Sequence, residues 1–311
     1  MDALRRLAPL ALLALVVACG PSGNRGPLST SGADGGTTKT CATTHSTRHQ
    51  SYVPASFTPP DVSRLIVMGD SISTGTGASK TSLSYYALLD QNDDSTWPAE
   101  AATDLKSYYG HDVTVVDVAQ DGATTSTLIQ QEVPNLEQEL PAPKGRSMVV
   151  ITIGGNDLLG AMAPGGGDPT GAVLTNAIQN ITATVQALQD TTKFPDGTSI
   201  YLMDVYDPSD GVGSAQGCFY NLSFPQFVTA LDTWKQKYVQ LGQQMRFAVI
   251  DALGAFHGHG FHYDDPSNQY YQAKDPTLWF APDCIHPDDR GHDEIRRLFY
   301  EAVDCSYVAT P

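Results

Sequence analysis

Short apolar runs alternate with longer amphipathic segments along most of the chain. The runs are rich in β-branched residues and bounded by turn residues, which is typical of strands buried on both faces. Between them, apolar residues recur at helical spacing. The predicted strands are Leu65–Met68, Val113–Val118, Met148–Ile153, Ile200–Val205 and Phe247–Ala252. The predicted helices are Thr96–Tyr109, Thr125–Glu139, Ala172–Leu188, Pro225–Met245 and Asp288–Val303.

This alternation predicts an α/β fold, a doubly wound, flavodoxin-like five-stranded parallel sheet with helices on both faces. A mixed α+β layout stays open as the alternative, because a short apolar run can also be a buried helix. In a parallel sheet the carboxyl ends of the strands share one edge, and ligands bind there. Residues that directly follow the strands are therefore the first candidates for a functional site.

The first residues have the pattern of an export signal. Arg5 and Arg6 precede an apolar run that is too short to span a bilayer, and Ala18 ends it. The sequence Val16-Val17-Ala18-Cys19 resembles the bacterial lipobox, which implies cleavage before Cys19 and a lipid on its thiol. The alternative is an ordinary signal peptide with an incidental cysteine. We therefore expect a signal peptide at 1–18 and an extracytoplasmic, lipid-anchored protein.

The segment after Cys19 is rich in glycine, serine and threonine and cannot bury apolar surface. We predict a flexible tether and lead-in over 19–61 and one folded domain over 62–311. The net charge is −16, and no basic stripe is visible. Nucleic-acid binding is thus excluded, since an acidic protein is repelled by phosphate. Membrane contact is expected through the lipid alone, and a monomer is the expected state.

Polar residues with catalytic potential follow several of the predicted strands. Ser71 follows the first strand in "VMGDSISTGTG", Gly122 the second in "DVAQDGATT", and Asn156 the third in "VITIGGND". Asp283 and His286 lie in "FAPDCIHPDDRGH", in the long segment between the fifth strand and the last helix. That segment is long enough to reach the same edge of the sheet.

These residue types together suit acyl transfer. A serine hydroxyl becomes an effective nucleophile when a base removes its proton, and His286 is the best candidate for that base. Asp283 would orient the imidazole and stabilise its protonated form. The N–H groups of Ser71 and Gly122 and the side-chain amide of Asn156 would donate to the developing oxyanion.

In these blocks the chain resembles the SGNH (GDSL) hydrolase family. The resemblance is carried, in order, by Gly69-Asp70-Ser71, Gly122, Gly154-x-Asn156-Asp157 and Asp283-x-x-His286-Pro287. It implies a flavodoxin-like fold and hydrolysis of esters or related acyl compounds. An α/β-hydrolase elbow is disfavoured, because Ser73 stands where that motif requires glycine.

The predicted function is a serine esterase or acylhydrolase that cleaves carboxylic esters through an acyl-serine intermediate. The sequence leaves the substrate open among an acetylated carbohydrate, a short-chain ester and a lipid. One alternative is an acyltransferase to a sugar hydroxyl, and another is a cell-surface binding protein that has lost turnover.

Each candidate also has a purely structural interpretation. Alone, Ser71 would be a helix cap and Gly122 a turn glycine. Asp70 and Asp157 are expected to brace loops rather than react. His292 lies within the last predicted helix and is expected to be a surface residue.

The stretch "AFHGHGFHYDD" carries His257, His259, His262 and Asp264, which could bind zinc. Their spacing matches no strong motif and the proposed chemistry needs no metal, so we predict neither a metal nor a cofactor. The loop is instead expected to cover the active site. The aromatic residues expected to line an acyl or sugar pocket are Phe256, Phe261, Tyr263, Tyr270, Tyr271, Trp279 and Phe280.

The chain has five cysteines, an odd number for an exported protein. Lipidation of Cys19 would leave four. The last helix begins near the active-site edge and runs about 24 Å, so Cys305 should lie too far from Cys284 for a disulfide. We therefore predict the pairs Cys218–Cys284, at the active-site edge, and Cys41–Cys305, at the opposite edge.

Overall fold

A five-stranded parallel sheet forms the centre of the domain. The computed structural model describes residues 49–55, 57–163, 165–215, 222–223 and 225–304. The strands of the sheet are β1 (Arg64–Gly69), β2 (Thr114–Asp117), β3 (Ser147–Thr152), β4 (Thr198–Met203) and β7 (Ala248–Ile250). Their order across the sheet is β2-β1-β3-β4-β7. The predicted flavodoxin-like sheet is confirmed, with all five predicted strands present and parallel. A separate antiparallel hairpin pairs β5 (Ser214–Ala215) with β6 (Leu222–Ser223).

The helices surround the sheet. They are α1 (Tyr85–Asp90), α2 (Leu105–Tyr109), α3 (Thr125–Thr127), α4 (Val133–Glu139), α5 (Gly155–Met162), α6 (Ala172–Leu188), α7 (Pro225–Met245), α8 (Ala252–Phe256) and α9 (Asp289–Asp304). Two 3₁₀ turns, Thr81–Leu83 and Pro98–Glu100, lie beside α1 and before α2. The bounds of α6 and α7 are those that the apolar periodicity predicts.

Side chains alternate along the strands between two apolar cores. In β1, Ile66 and Met68 face the core formed with α4, α6 and α7, whereas Leu65 and Val67 face the core formed with α1, α2 and α9. Every residue of the central strand β3 is buried. Burial on both faces explains why the strands other than the edge strand β2 read as apolar runs, and it fixes their register in the sheet.

One predicted helix is broken in the structure. The segment expected to be helical over Thr96–Tyr109 contains only the 3₁₀ turn Pro98–Glu100 and the short helix α2. Ala102 has φ +63°, which interrupts the helix. Asp104 then caps α2 by accepting a hydrogen bond from the Ser107 N–H at 2.7 Å. The positive φ of Ala102 and the Asp104 cap therefore decide that α2 begins at Leu105.

The predicted helix Thr125–Glu139 is continuous but contains a wider turn. Residues Leu128–Glu132, between α3 and α4, form a π-helical segment. Thr124 and Thr127 form a capping box at the start of α3. The π-helical segment changes which side chains face the sheet from the helix.

Residues 49–55, which the sequence assigns to the lead-in, contact the domain. Tyr52 pairs with Val249 at the edge strand β7 through two backbone hydrogen bonds of 2.8 Å, and Val53 is buried. The predicted signal peptide, Cys19 and three cysteines of the predicted disulfides, Cys41, Cys218 and Cys305, lie outside the described residues. Within the described part of the chain, no helix has both the length and the apolarity needed to cross a bilayer.

Candidate active site

Ser71 lies in a tight turn directly after β1. Gly69 ends the strand with φ +116°, and a Cβ there would lie 1.9 Å from the Thr152 carbonyl oxygen, so only glycine fits. The Asp70 N–H donates to the same oxygen at 2.9 Å, and the Thr76 N–H donates to the Ser71 carbonyl at 2.9 Å. These contacts place the Ser71 side chain at the carboxyl edge of the sheet.

The Ser71 hydroxyl, the His286 imidazole and the Asp283 carboxylate form one hydrogen-bonded chain. Ser71 Oγ lies 2.8 Å from His286 Nε2, and His286 Nδ1 lies 2.7 Å from Asp283 Oδ2. An ionised carboxylate can only accept, so Nδ1 donates to Asp283 and Nε2 is left to accept from the hydroxyl. The sequence predicted that this loop reaches the edge of the sheet, and the structure brings the three residues together there.

Asp283 is held as a carboxylate by its own loop. Burial raises the pKa of Asp283, but hydrogen bonds from the His286 backbone and ring and from the Ile285 N–H outweigh it and lower the pKa below its ordinary value. Asp283 Oδ1 accepts from the Ile285 and His286 N–H groups at 2.9 Å and 3.0 Å. Cys284, which lies between Asp283 and Ile285, has φ +67°, and this backbone angle closes the turn.

Two neighbours hold this loop against the nucleophile turn. The Tyr206 hydroxyl donates to the Ile285 carbonyl at 2.6 Å. Gly77 packs so closely that a Cβ there would lie 2.1 Å from the Pro287 carbonyl oxygen and 2.9 Å from His286 Cβ. The position of His286 therefore depends on a buried hydroxyl and on the absence of a side chain at residue 77.

Gly122 lies in the turn after β2, and the Asn156 side chain contacts this turn. Gly122 has φ +74° in the turn after β2, and this turn is tied to the end of β1 by the Gln120 N–H, which donates to the Gly69 carbonyl at 2.9 Å. Asn156, in the first turn of α5, donates from Nδ2 to the Ala123 carbonyl at 2.9 Å. Ser71, Asp283 and His286 thus meet at this edge, Asn156 borders the same cavity as Ser71, and Asn156 contacts the turn that carries Gly122.

Comparison with known proteins decides the family. The model of the GDSL-like lipase/acylhydrolase family matches residues 67–294, well over half of the chain. The chain belongs to the GDSL-like lipase/acylhydrolase family. The resemblance seen in the sequence motifs is thereby confirmed, and the protein is a carboxylic ester hydrolase.

Solved structures agree on the fold of this GDSL-like hydrolase. A lipase from a goat rumen metagenome is similar over 77% of this chain and 96% of that chain, with 15% identity and a TM-score of 0.52. A mutant of Axe2, an acetyl-xylooligosaccharide esterase from Geobacillus stearothermophilus, covers 83% of this chain and 99% of its own, with 18% identity and a TM-score of 0.50. At such identities the likeness shows the fold alone. A comparison with curated proteins finds no match.

An apolar cavity of about 80 Å³ opens beside Ser71 in this hydrolase. Its apolar wall includes Ile72, Ile153, Leu159, Met162, Val205 and Phe227. Asn156 and Ile285 also border it, so the cavity lies between the nucleophile turn, α5 and the Asp283–His286 loop. None of the seven aromatic residues predicted to line a pocket contributes to it. That prediction was wrong.

Three of the seven aromatic residues of that prediction serve the core instead. Phe256, Trp279 and Phe280 are buried in the same apolar cluster as Tyr206. The Tyr206 and Phe256 rings stack with centroids 4.8 Å apart. These rings therefore lie behind the cavity wall and support Tyr206. Burial of their large aromatic area stabilises this position, although the local sequence is typical of a loop.

The three histidines of that stretch point to different partners. His257 stacks on Tyr270 and His259 on Trp279, with ring centroids 3.7 Å and 3.4 Å apart. His262 Nε2 lies 2.8 Å from the Ser214 carbonyl oxygen. Among the described residues, no group of three or more histidine, cysteine, aspartate or glutamate side chains is arranged to hold a metal ion.

Asp70 and Asp157 contact loops at the site rather than the Ser71 hydroxyl. Asp70 Oδ1 accepts from the Ile72 N–H at 3.1 Å and from Thr152 Oγ1 at 2.8 Å. Burial raises the pKa of Asp70 to about 7 despite these bonds. Asp157 accepts from the N–H and the hydroxyl of Thr125, at 2.9 Å and 2.7 Å, and so joins α5 to α3.

His292 is buried, so its predicted surface position was wrong. Its side chain is fully inaccessible, with Nε2 3.1 Å from the Thr76 carbonyl oxygen and Nδ1 3.3 Å from the Tyr85 N–H. Burial lowers the pKa of His292 to about 4, so the ring is neutral and bridges α9 to the turn after Ser71. Helical spacing would have placed it on the inner face of α9, beside Ile295 and Phe299.

Sequence reasoning also missed Tyr206 and Glu132. Tyr206 follows β4, so the rule that selected Ser71, Gly122 and Asn156 would have found it at the same edge. Glu132 had no such signal. It lies at the end of the π-helical segment, and its contact with β1 depends on packing across the sheet.

Proposed function

We propose that this hydrolase cleaves carboxylic esters through an acyl-Ser71 intermediate, with His286 as base and Asp283 as its orienting carboxylate. The observation that carries the proposal is the hydrogen-bonded chain Ser71 Oγ–His286 Nε2 and His286 Nδ1–Asp283 Oδ2, at 2.8 Å and 2.7 Å. Nε2 would accept the hydroxyl proton as Oγ attacks, and would return it to the leaving alcohol. Water would then attack the acyl-enzyme by the same route.

The oxyanion would be held by the N–H groups of Ser71 and Gly122 and by the Asn156 amide. In support, neither backbone N–H donates a hydrogen bond to another described residue. The side-chain amide of Asn156 has two N–H donors. One donates to the Ala123 carbonyl and fixes the plane of the group, and the other would donate to the oxyanion. Loss of one such donor typically lowers kcat roughly a hundred- to a thousandfold.

The acyl part of the substrate is inferred from the cavity. Aliphatic side chains and Phe227 dominate its wall, and no described lysine or arginine contributes to it. An acetyl group would bury little of this surface, whereas each additional buried methylene contributes about 0.8 kcal/mol. We therefore favour an ester with an aliphatic acyl chain longer than acetate over an acetylated carbohydrate.

The test is release of p-nitrophenol from a series of acyl esters, acetate to palmitate, by wild type and Ser71→Ala. We expect kcat/KM to rise beyond acetate and Ser71→Ala to be inactive. Leu159→Trp, which fills the cavity wall, should move the optimum to shorter chains. A maximum at acetate would contradict the acyl assignment, and turnover by Ser71→Ala would remove Ser71 from the mechanism.

We also propose export and lipidation at Cys19, followed by the disulfides Cys218–Cys284 and Cys41–Cys305. The support for export is the sequence alone. For the first pair, Cys284 borders the same cavity as Ser214, which precedes Cys218 by four residues. Palmitate incorporation that is lost in Cys19→Ala tests the anchor. Peptide mapping without reduction tests the pairs, and a Cys284–Cys305 peptide would contradict them.

A further inference from the structure

The carboxyl of Glu132 lies beneath the turn that carries Ser71. Glu132 is fully buried, and its Oε2 accepts a hydrogen bond from the Gly69 N–H at 2.7 Å. The residues are 63 positions apart in sequence. The next N–H along the chain, that of Asp70, donates to the Thr152 carbonyl at 2.9 Å. The main chain that leads into Ser71 is thus held from two sides, by a side chain and by β3.

The helix geometry brings Glu132 to this position. Glu132 is the last residue of the π-helical segment, which interrupts the regular α-helical spacing between α3 and α4. Such segments occur mostly as single turns and often at functional sites. Gly69 cannot move to a different contact, because its Cα already faces the Thr152 carbonyl with no room for a Cβ. Of the two contacts that hold this main chain, the hydrogen bond to Glu132 is therefore the one that a side-chain substitution can remove.

The second carboxyl oxygen of Glu132 has no polar partner. Oε1 is buried and makes no hydrogen bond with any described residue. Burial raises the pKa of Glu132 to about 8; the Gly69 N–H lowers it, while the Asp70 and Asp117 carboxyls raise it further. At neutral pH Glu132 therefore carries a proton on Oε1 and no charge. A carboxylate here would oppose the negative charge that develops on the oxyanion.

We propose that Glu132 is a positioning residue that holds the nucleophile turn through the Gly69 N–H while remaining uncharged. This inference rests on the proposed role of Ser71. Glu132→Gln keeps an acceptor for Gly69 and cannot ionise, whereas Glu132→Leu of similar size removes the acceptor. Glu301→Gln is the matched control, because burial also raises the pKa of Glu301, to about 7, on α9 away from the nucleophile turn.

The experiment measures kcat and KM from pH 6 to 9.5 by pH-stat titration, together with the rate of fluorophosphonate labelling. At pH 7 we expect Glu132→Gln to stay within about threefold of wild type. Glu132→Leu should lose roughly ten- to a hundredfold in kcat and in labelling rate, with KM within about threefold, because a misplaced reacting group costs rate rather than binding. Above pH 8 the kcat of wild type and of Glu301→Gln should fall, and that of Glu132→Gln should not.

Two results would overturn the inference. One is a Glu132→Leu variant with the wild-type kcat and labelling rate. The other, which remains decisive if Glu132→Leu does not fold, is a Glu132→Gln variant whose kcat declines above pH 8 as wild type does. Ser71→Ala is assayed in parallel: if it turns over substrate, the proposed function fails, whereas inactive Ser71→Ala beside fully active Glu132→Leu removes only the positioning role.

Discussion

Replacing Gly77 with alanine should move His286 away from Ser71 and so break the proposed catalytic hydrogen bond between them. The new Cβ would lie 2.1 Å from the Pro287 carbonyl oxygen and 2.9 Å from His286 Cβ. Contacts below 3.0 Å are not tolerated, so Pro287 and the adjoining His286 must move by about 1 Å. The Ser71 Oγ–His286 Nε2 distance, now 2.8 Å, would approach about 4 Å if the shift is directed away from Ser71, and the hydrogen bond would be lost.

A displacement of this size at a reacting group costs about a hundredfold in rate, or about 2.7 kcal/mol in activation free energy. We expect Gly77→Ala to lower kcat and the rate of fluorophosphonate labelling by that factor, with KM changed little because neither His286 nor Pro287 lines the acyl cavity. The assay is p-nitrophenyl ester hydrolysis normalised to the folded fraction from a thermal melt.

Gly110→Ala is the matched control for backbone strain. Gly110 also has positive φ, +76°, but a Cβ there meets nothing within 4 Å. Its variant should lose about 1–2 kcal/mol of stability and keep wild-type kcat. The steric reasoning is refuted if folded Gly77→Ala retains kcat within about threefold of Gly110→Ala.

Three further predictions concern the groups around the site. Tyr206→Phe removes the donor to the Ile285 carbonyl and should lower the free energy of unfolding by about 1–3 kcal/mol, measured by urea denaturation; an unchanged midpoint would show that the bond contributes nothing. Burial raises the pKa of Asp70 from 3.8 to about 7, so the folded state keeps a proton that the unfolded chain releases. Stability should therefore fall as pH rises from about 4 to 7, by as much as roughly 4 kcal/mol, and Asp70→Asn should flatten this dependence. For His292 the sign is opposite: burial lowers the pKa from 6.5 to about 4, so stability falls as pH drops through that window, by up to roughly 3 kcal/mol. Urea titrations at pH 5 and 7.5 in which His292→Gln loses as much stability on acidification as wild type would contradict this assignment.

The apolar pattern predicted the fold well because four of the five strands, all but the edge strand β2, are buried on both faces. Continuous apolar runs such as β3 have no other low-energy environment in a soluble domain. Long amphipathic helices were equally well determined, and the bounds of α6 and α7 match the periodicity. Short elements such as α1 and α5 carry too few turns to show a period, and they form because neighbouring elements pack on them.

The loops were predicted less well, because their side chains can satisfy the same chemistry in several ways. Phe256 and Trp279 read as pocket residues from their loop context, yet they fill the core behind Tyr206. His292 read as a surface residue, yet it is inaccessible and bridges α9 to Thr76. For Phe256 and Trp279 burial depends on which surface lies opposite, and the local sequence contains no information about that surface. For His292 the helical spacing to Ile295 and Phe299 did indicate the inner face of α9, but it did not show the contact with Thr76.

The sequence by itself determined which residues end up at the carboxyl edge of the sheet, since strand direction and chain order follow from the alternation of elements. It thereby selected Ser71, Gly122 and Asn156 directly after their strands, and Asp283 and His286 in the long segment after the fifth strand. Only the tertiary structure decided the contacts: Ser71 and His286, 215 residues apart, lie 2.8 Å from one another, and Glu132 lies under Gly69. Periodicity fixes an element's faces to within a residue, whereas a hydrogen bond requires placement within a few tenths of an ångström, which packing across the whole core supplies.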